Sequence, residues 1–169
     1  MKYIIFITMS IALFFQGCIE YKEDPLCSDY EYITYDELRK SVKVEAPREI
    51  KNSGKIYIFN DLLLVNEPNI GIHIIDNKDK ENPIPKAFIK LNGNIDVAVK
   101  NGYLYADSFI DLVVFDIRDI NNIKEIKRAK NVFSSDTSAF YDSYFLQDEC
   151  NYDMSNGVVI GAKEWKNIV

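Results

Sequence analysis

Sliding the chain along itself by 40 residues lays like on like without a gap. Leu64 falls on Leu104, Ile70 on Ile110, Asp76 on Asp116, Asp79 on Asp119 and Asn82 on Asn122. Residues 72–76 (IHIID) overlay 112–116 (LVVFD), and 55–59 (KIYIF) overlay 95–99 (IDVAV). A fixed period of this length marks a repeat architecture, in which each unit buries its apolar face on a neighbour.

Each unit reads as four short strands. In the second, residues 96–99 and 103–107 flank a turn that holds Asn101 and Gly102, a strong hairpin signal. Residues 112–116 form an apolar, β-branched run of the buried-strand type, and 125–128 a more polar outer strand. Four antiparallel strands in about 40 residues is the size of a propeller blade. A duplicated β-sandwich and a β-solenoid are the alternatives. The expected fold is therefore mostly β, with propeller-like blade units over 54–92 and 93–130 and part of a third. Residues 131–156, rich in Ser, Asp and aromatics, are expected as an irregular surface loop. Residues 157–162 are expected as the first strand of the third unit, within a domain spanning 33–169.

Ahead of the repeats, Thr34 and Glu37 have the spacing of a capping box, with Ile33 and Leu38 placed as a hydrophobic staple. This predicts a helix from residue 35 to about 42, after which Pro47 imposes an extended path.

The first residues carry an address. Lys2 precedes an unbroken apolar run of 13 residues, from Tyr3 to Phe15, and Gly17 stands before Cys18. A run this short suits a signal peptide better than a bilayer span of about 20 residues. The layout predicts a lipoprotein signal over 1–17, with Cys18 becoming a lipid-bearing N-terminus. Phe15 departs mildly from the usual leucine. The acidic stretch after Cys18 reads as the start of a solvated tether over 18–32. It is similar to signals that move lipoproteins to the outer face of an outer membrane. The expected location is the bacterial cell envelope, at the outer membrane.

Loss of residues 1–17 would change the net charge from −6 to −7. An acidic chain without a basic stripe is a poor nucleic-acid binder. Cys27 and Cys150 remain, and in an oxidising compartment they form a candidate disulfide, with two free thiols as the alternative. Two isolated cysteines and the single histidine, His73, do not complete a tetrahedral metal site without carboxylates. No metal or cofactor is expected.

Three sets of residues resemble a known family. Residues 41–57 (SVKVEAPREIKNSGKIY) look like the lead into a first blade. Residues 66–76 (NEPNIGIHIID) and 104–116 (LYADSFIDLVVFD) are similar to the repeat cores of LVIVD repeat-containing bacterial lipoproteins. The likeness covers residues 30–130 and, more faintly, 157–161. It implies a β-propeller-like envelope lipoprotein without implying an activity. Closed propellers need about four to eight blades, and this chain has two clear units. A short, truncated or self-associating member is therefore implied, since an array with unburied ends tends to oligomerise.

Few residues suggest chemistry. Asp76 and Asp116 end equivalent strands, where a carboxylate accepts backbone hydrogen bonds from the following turn. Asp79 and Asp119 read the same way. Glu67 and Asp107, equivalent under the 40-residue shift, would need to approach within about 5–10 Å for acid–base work. His73 sits in an apolar strand and reads as half-buried. No nucleophile elbow, phosphate loop, dinucleotide fingerprint or zinc motif accompanies it. Phe133, Phe140, Tyr141, Tyr144 and Phe145 could stack on a sugar or a partner protein, or pack over the sheet. The expected function is a non-catalytic binding module, anchored to a membrane, with an envelope protein or a glycan as partner. The alternatives are a non-functional fragment of a longer propeller lipoprotein and a propeller hydrolase or oxidoreductase.

Overall fold

The computed structural model describes residues 30–133, 152–153 and 155–162. The signal segment, Cys18, Cys27, Cys150 and the aromatic residues 140, 141, 144 and 145 lie outside the described residues. β1 (Tyr30–Thr34) runs into the helix α1 (Tyr35–Lys40), followed by β2 (Lys43–Glu45). Then come β3 (Ile56–Phe59), β4 (Leu62–Glu67), β5 (Gly71–Asp76) and β6 (Ile84–Lys90). The second set is β7 (Val97–Lys100), β8 (Tyr103–Ser108), β9 (Asp111–Asp116) and β10 (Lys124–Ala129), and β11 (Gly157–Ala162) follows.

Over the described residues the protein is mostly β, with three antiparallel sheets that do not close. The first sheet has the order β2-β6-β5-β4-β3, the second β10-β9-β8-β7, and the third pairs β1 with β11. Each repeat unit is thus a four-strand meander, joined in the first sheet by β2. At the second hairpin, Asn101 (φ 53°) and Gly102 (φ 77°) both take positive φ, as a type I′ turn requires.

Both halves of the capping box form. Glu37 N donates to Thr34 Oγ1 at 3.3 Å, and Thr34 N to Glu37 Oε2 at 3.1 Å. The helix stops at Lys40, short of the expected 42, because the Ser41 amide and hydroxyl both turn back to Leu38 O. Tyr35 and Leu38 pack with Ile110 and Val158, which seats the helix between the small sheet and the second sheet. Two strands differ from expectation. β1 begins at Tyr30, inside the stretch read as tether, because β11 supplies its partner from the far end of the sequence. β2 lies where an extended path was expected; its three residues are all exposed, so no alternating pattern advertises it.

Pairing corrects the repeat. β5–β6 and β9–β10 match at a shift of 40, including a bulge at the same place. The first hairpins match at 41: Ile56 pairs with Val65 as Val97 pairs with Ala106. The cause is the turn between the second and third strands, residues 68–70 in the first unit and only 109–110 in the second. A slip of one residue moves a side chain to the other face of its sheet. Leu64 therefore matches Tyr105, not Leu104, and Glu67 matches Ser108, not Asp107.

This offset reveals how the sheets stack. The rear face of the first sheet carries Leu64, Ile72, Ile74, Ala87 and Ile89; the front face carries Val65, Glu67, His73, Ile75 and Phe88. In the second sheet the front face carries Val97, Val99, Leu104, Ala106, Val113 and Phe115. One apolar core unites the rear residues of the first sheet with the front residues of the second. The sheets are stacked front to rear, in the same sense, rather than facing each other across a two-fold axis.

Candidate functional site

Buried polar side chains are costly unless bonded, so they are the first place to look for chemistry. Three clusters occur among the described residues, and all three tie loops to sheets.

Glu67, at the end of β4, is fully buried. Its Oε1 accepts the Lys51 and Asn52 amides at 2.7 and 3.1 Å, and its Oε2 accepts Arg48 Nη2 at 2.6 Å. The Arg48 guanidinium also lies 3.7 Å from the centroid of the Phe88 ring. His73 Nε2 is 3.0 Å from Glu67 Oε2, yet off the line that a hydrogen bond requires. It is the one buried side-chain nitrogen or oxygen among the described residues without a bonded partner. The two side chains are in contact without a hydrogen bond. Burial pushes the Glu67 carboxyl up, but hydrogen bonds from the Asn52 amide, Arg48 and the Lys51 amide outweigh this and hold it down at about 2.

The second cluster joins the sheets. Asn66 Nδ2 donates to Asn94 Oδ1 at 2.6 Å, and Asn94 Nδ2 to Asp107 Oδ1 at 2.8 Å. Asp107 Oδ1 also accepts the amides of Ile95 and Asp96 at 2.8 and 2.9 Å. Glu67 and Asp107 are thus each occupied in the same way, holding two successive amides just ahead of their own unit's first strand. The bonds they make do not bring them together as an acid–base pair.

In the third cluster, buried Asp111 takes Arg39 Nε at 2.8 Å, Arg39 Nη2 at 3.1 Å, Arg128 Nη1 at 3.2 Å and the Asn131 amide at 3.1 Å. Burial raises its carboxyl, and the Arg39, Asn131 and Arg128 donors bring it below the usual range. Composition and spacing did not single out Asp111. The 40-residue overlay lays it on Gly71, and only the fold brings Arg39 and Arg128 to it.

The turn carboxylates act locally. Asp76 Oδ1 accepts the Lys78 amide at 3.2 Å, and Asp116 Oδ1 the Arg118 amide at 3.1 Å. Hydrogen bonds from the Arg118 side chain and amide hold the Asp116 carboxyl at about 2. Asp79 and Asp119 each accept the amide two residues on, at 3.0 Å. Among the described residues no group of three or more His, Cys, Asp or Glu side chains is placed to hold a metal ion. None of the described helices is long and apolar enough to cross a membrane.

His73 is 3% exposed, tilted against Phe88 with ring centroids 4.8 Å apart. It is more deeply buried than its strand context implied, because residues 48–52 cross over that face. Of the aromatic set, only Phe133 lies among the described residues, and it is exposed.

An open cleft of about 630 Å³ lies between the turns Asn60–Asp61 and Asn101–Gly102. Phe59, Leu62, Ile117 and Ile120 line its apolar part, with Lys78 and Arg118 alongside. No protein-family model matches the chain, and neither does any curated protein or solved structure.

Proposed function

We propose that this chain is a lipid-anchored protein of the bacterial envelope whose propeller-like repeats form a non-catalytic binding module. Cys18 is the anchor, and an envelope protein or a glycan is the partner. The observation that carries the binding reading is the contrast between polar groups. The buried Glu67 and Asp111 and the half-buried Asp107 are held by donors that tie the fold together, whereas the repeated turns frame an open cleft with apolar walls, two cationic side chains and the carboxylates Asp61 and Asp76. Such a mixture of apolar lining and few polar groups is the usual character of a ligand site. The stacking of like units in one sense supports the propeller-like reading, since blades pack this way and sandwich sheets face each other. An enzyme would rest on the His73–Glu67 contact, but Phe88 and the segment bearing Arg48 cover that pair.

The test uses the full chain in a bacterial host. Membrane fractionation should place the wild type with membranes through an acylated Cys18, and Cys18→Ala should release it. In envelope cross-linking, Lys78→Ala with Arg118→Ala should lose the principal adduct while the melt is unchanged. A Cys18→Ala form that stays with membranes would remove the anchor, and adducts indifferent to the cleft pair would remove the binding surface.

A further inference from the structure

Stacking in one sense leaves two unlike faces at the ends of the pair. At the front end, Ile56 and Ile58 of β3 are 62% and 66% exposed. Their matches in the second sheet, Val97 and Val99, are 7% and 9% exposed. The neighbour makes the difference: Val97 and Val99 lie in the core against the first sheet, and among the described residues no sheet precedes Ile56 and Ile58. β3 is also an edge strand, so its free backbone groups and isoleucines sit together. Elsewhere on that front face Val65, His73, Ile75 and Phe88 are buried, with the Arg48 guanidinium over the Phe88 ring. At the rear end, the second sheet shows exposed Ala98 and Lys100 and half-buried Tyr103, Tyr105 and Leu112.

The fold already contains one joint of the kind that would join these ends. Its polar contacts survive an exchange of partners. Within the chain, Lys55 Nζ bonds Asp96 Oδ2 at 2.6 Å, with both side chains more than half exposed. Lys55 and Asp96 occupy matching places in the two units, one residue before β3 and β7. Stack the second sheet of one copy on the first sheet of another, and Asp96 stands where Lys55 stood, facing Lys55 of the second copy. The charges are again opposite. Asn66 meets Asn94 within the chain; between copies Asp107 takes the first role and Ser53 the second, an acceptor facing a hydroxyl donor.

We propose that this chain associates head to tail with a second copy, seating the rear face around Tyr105 and Leu112 on Ile56 and Ile58. The contact is heterologous, so it closes into a ring or propagates as an array. It rests on sheet stacking alone and not on the lipid anchor or the cleft.

The test places a photo-crosslinking benzoylphenylalanine at Ile58 in the full chain, with isotope-labelled and unlabelled copies mixed. Mass spectrometry should find adducts joining residue 58 of one copy to the region 98–114 of the other. A companion variant, Ile56→Lys with Ile58→Lys, alters only exposed side chains. It should weaken association about tenfold in sedimentation, as expected when charges enter an apolar contact, with the melting temperature unchanged. Adducts joining residue 58 to residue 58, adducts only to other envelope components, no adduct between copies, or unaltered association of the double variant would each overturn the proposal.

Discussion

The two repeat sheets agree in their outer halves, bulge included, and differ at one corner. In the first sheet Gly71 lies beneath the Phe88 ring; in the second the matching pair is Asp111 and Arg128. Gly71 has φ 154°, and a Cβ there would lie 2.1 Å from Ile89 O and 2.7 Å from Phe88 Cζ. The second sheet has no ring at that place, so a carboxylate fits and joins two arginines. One position thus serves apolar packing in one unit and an ion-pair cluster in the other. A repeat specifies strand order and stacking, while each unit solves its own corner with different chemistry.

The comparison can be broken most severely at that corner. Gly71→Ala should cost about 4 kcal/mol in chemical denaturation, from overlap and from a backbone angle that L residues avoid. Little change would mean that the corner is looser than the Gly71–Phe88 packing requires. Glu67→Ala should cost about 3 kcal/mol, because Arg48 and two amides lose their acceptor. At the matching place, Ser108→Ala loses one bond to Asn92 O and should cost about 1 kcal/mol. Equal losses at the two places would deny that the first unit depends on its carboxylate.

Acid sharpens the same contrast. The Glu67 carboxyl is held at about 2, against an ordinary 4.5. A depressed folded-state value gives stabilisation that is complete above about pH 4.5 and lost as pH falls toward 2. Denaturation midpoints should therefore fall across that window, and Glu67→Gln should flatten the fall. A wild-type profile no steeper than that of the variant would contradict this reading. The smallest effect is expected at the shared turns: Asp76→Ala should cost about 0.5–1 kcal/mol, since one local amide bond, from Lys78, is lost.

Much of this was legible in the sequence because it is local. Thr34 and Glu37 announce the helix start through side chains three residues apart, and Asn101 with Gly102 announces a turn through backbone freedom. The strands of both units followed from apolar runs between such signals. What escaped was non-local. β1 is visible only with β11 beside it, and β2 is too exposed to alternate. The one-residue slip was hidden because Leu64 and Leu104 are both fully buried leucines. They enter the same core from opposite sides, so a gapless overlay paired them for the wrong reason. Glu67 and Asp107 were paired by the same slip, and they do similar work from places that do not match. Asp111 could not be distinguished from a surface aspartate without knowing that Arg39 and Arg128 converge on it.

The most direct test of the stacking is a set of methyl–methyl nuclear Overhauser contacts in the intact chain. Stacking in one sense requires contacts from Leu64, Ile72 and Ile74 to Leu104, Ala106 and Val113. Contacts from Leu64 and Ile74 to Leu112 and Val114 instead would mean that the sheets face each other as a sandwich, and would contradict stacking in one sense.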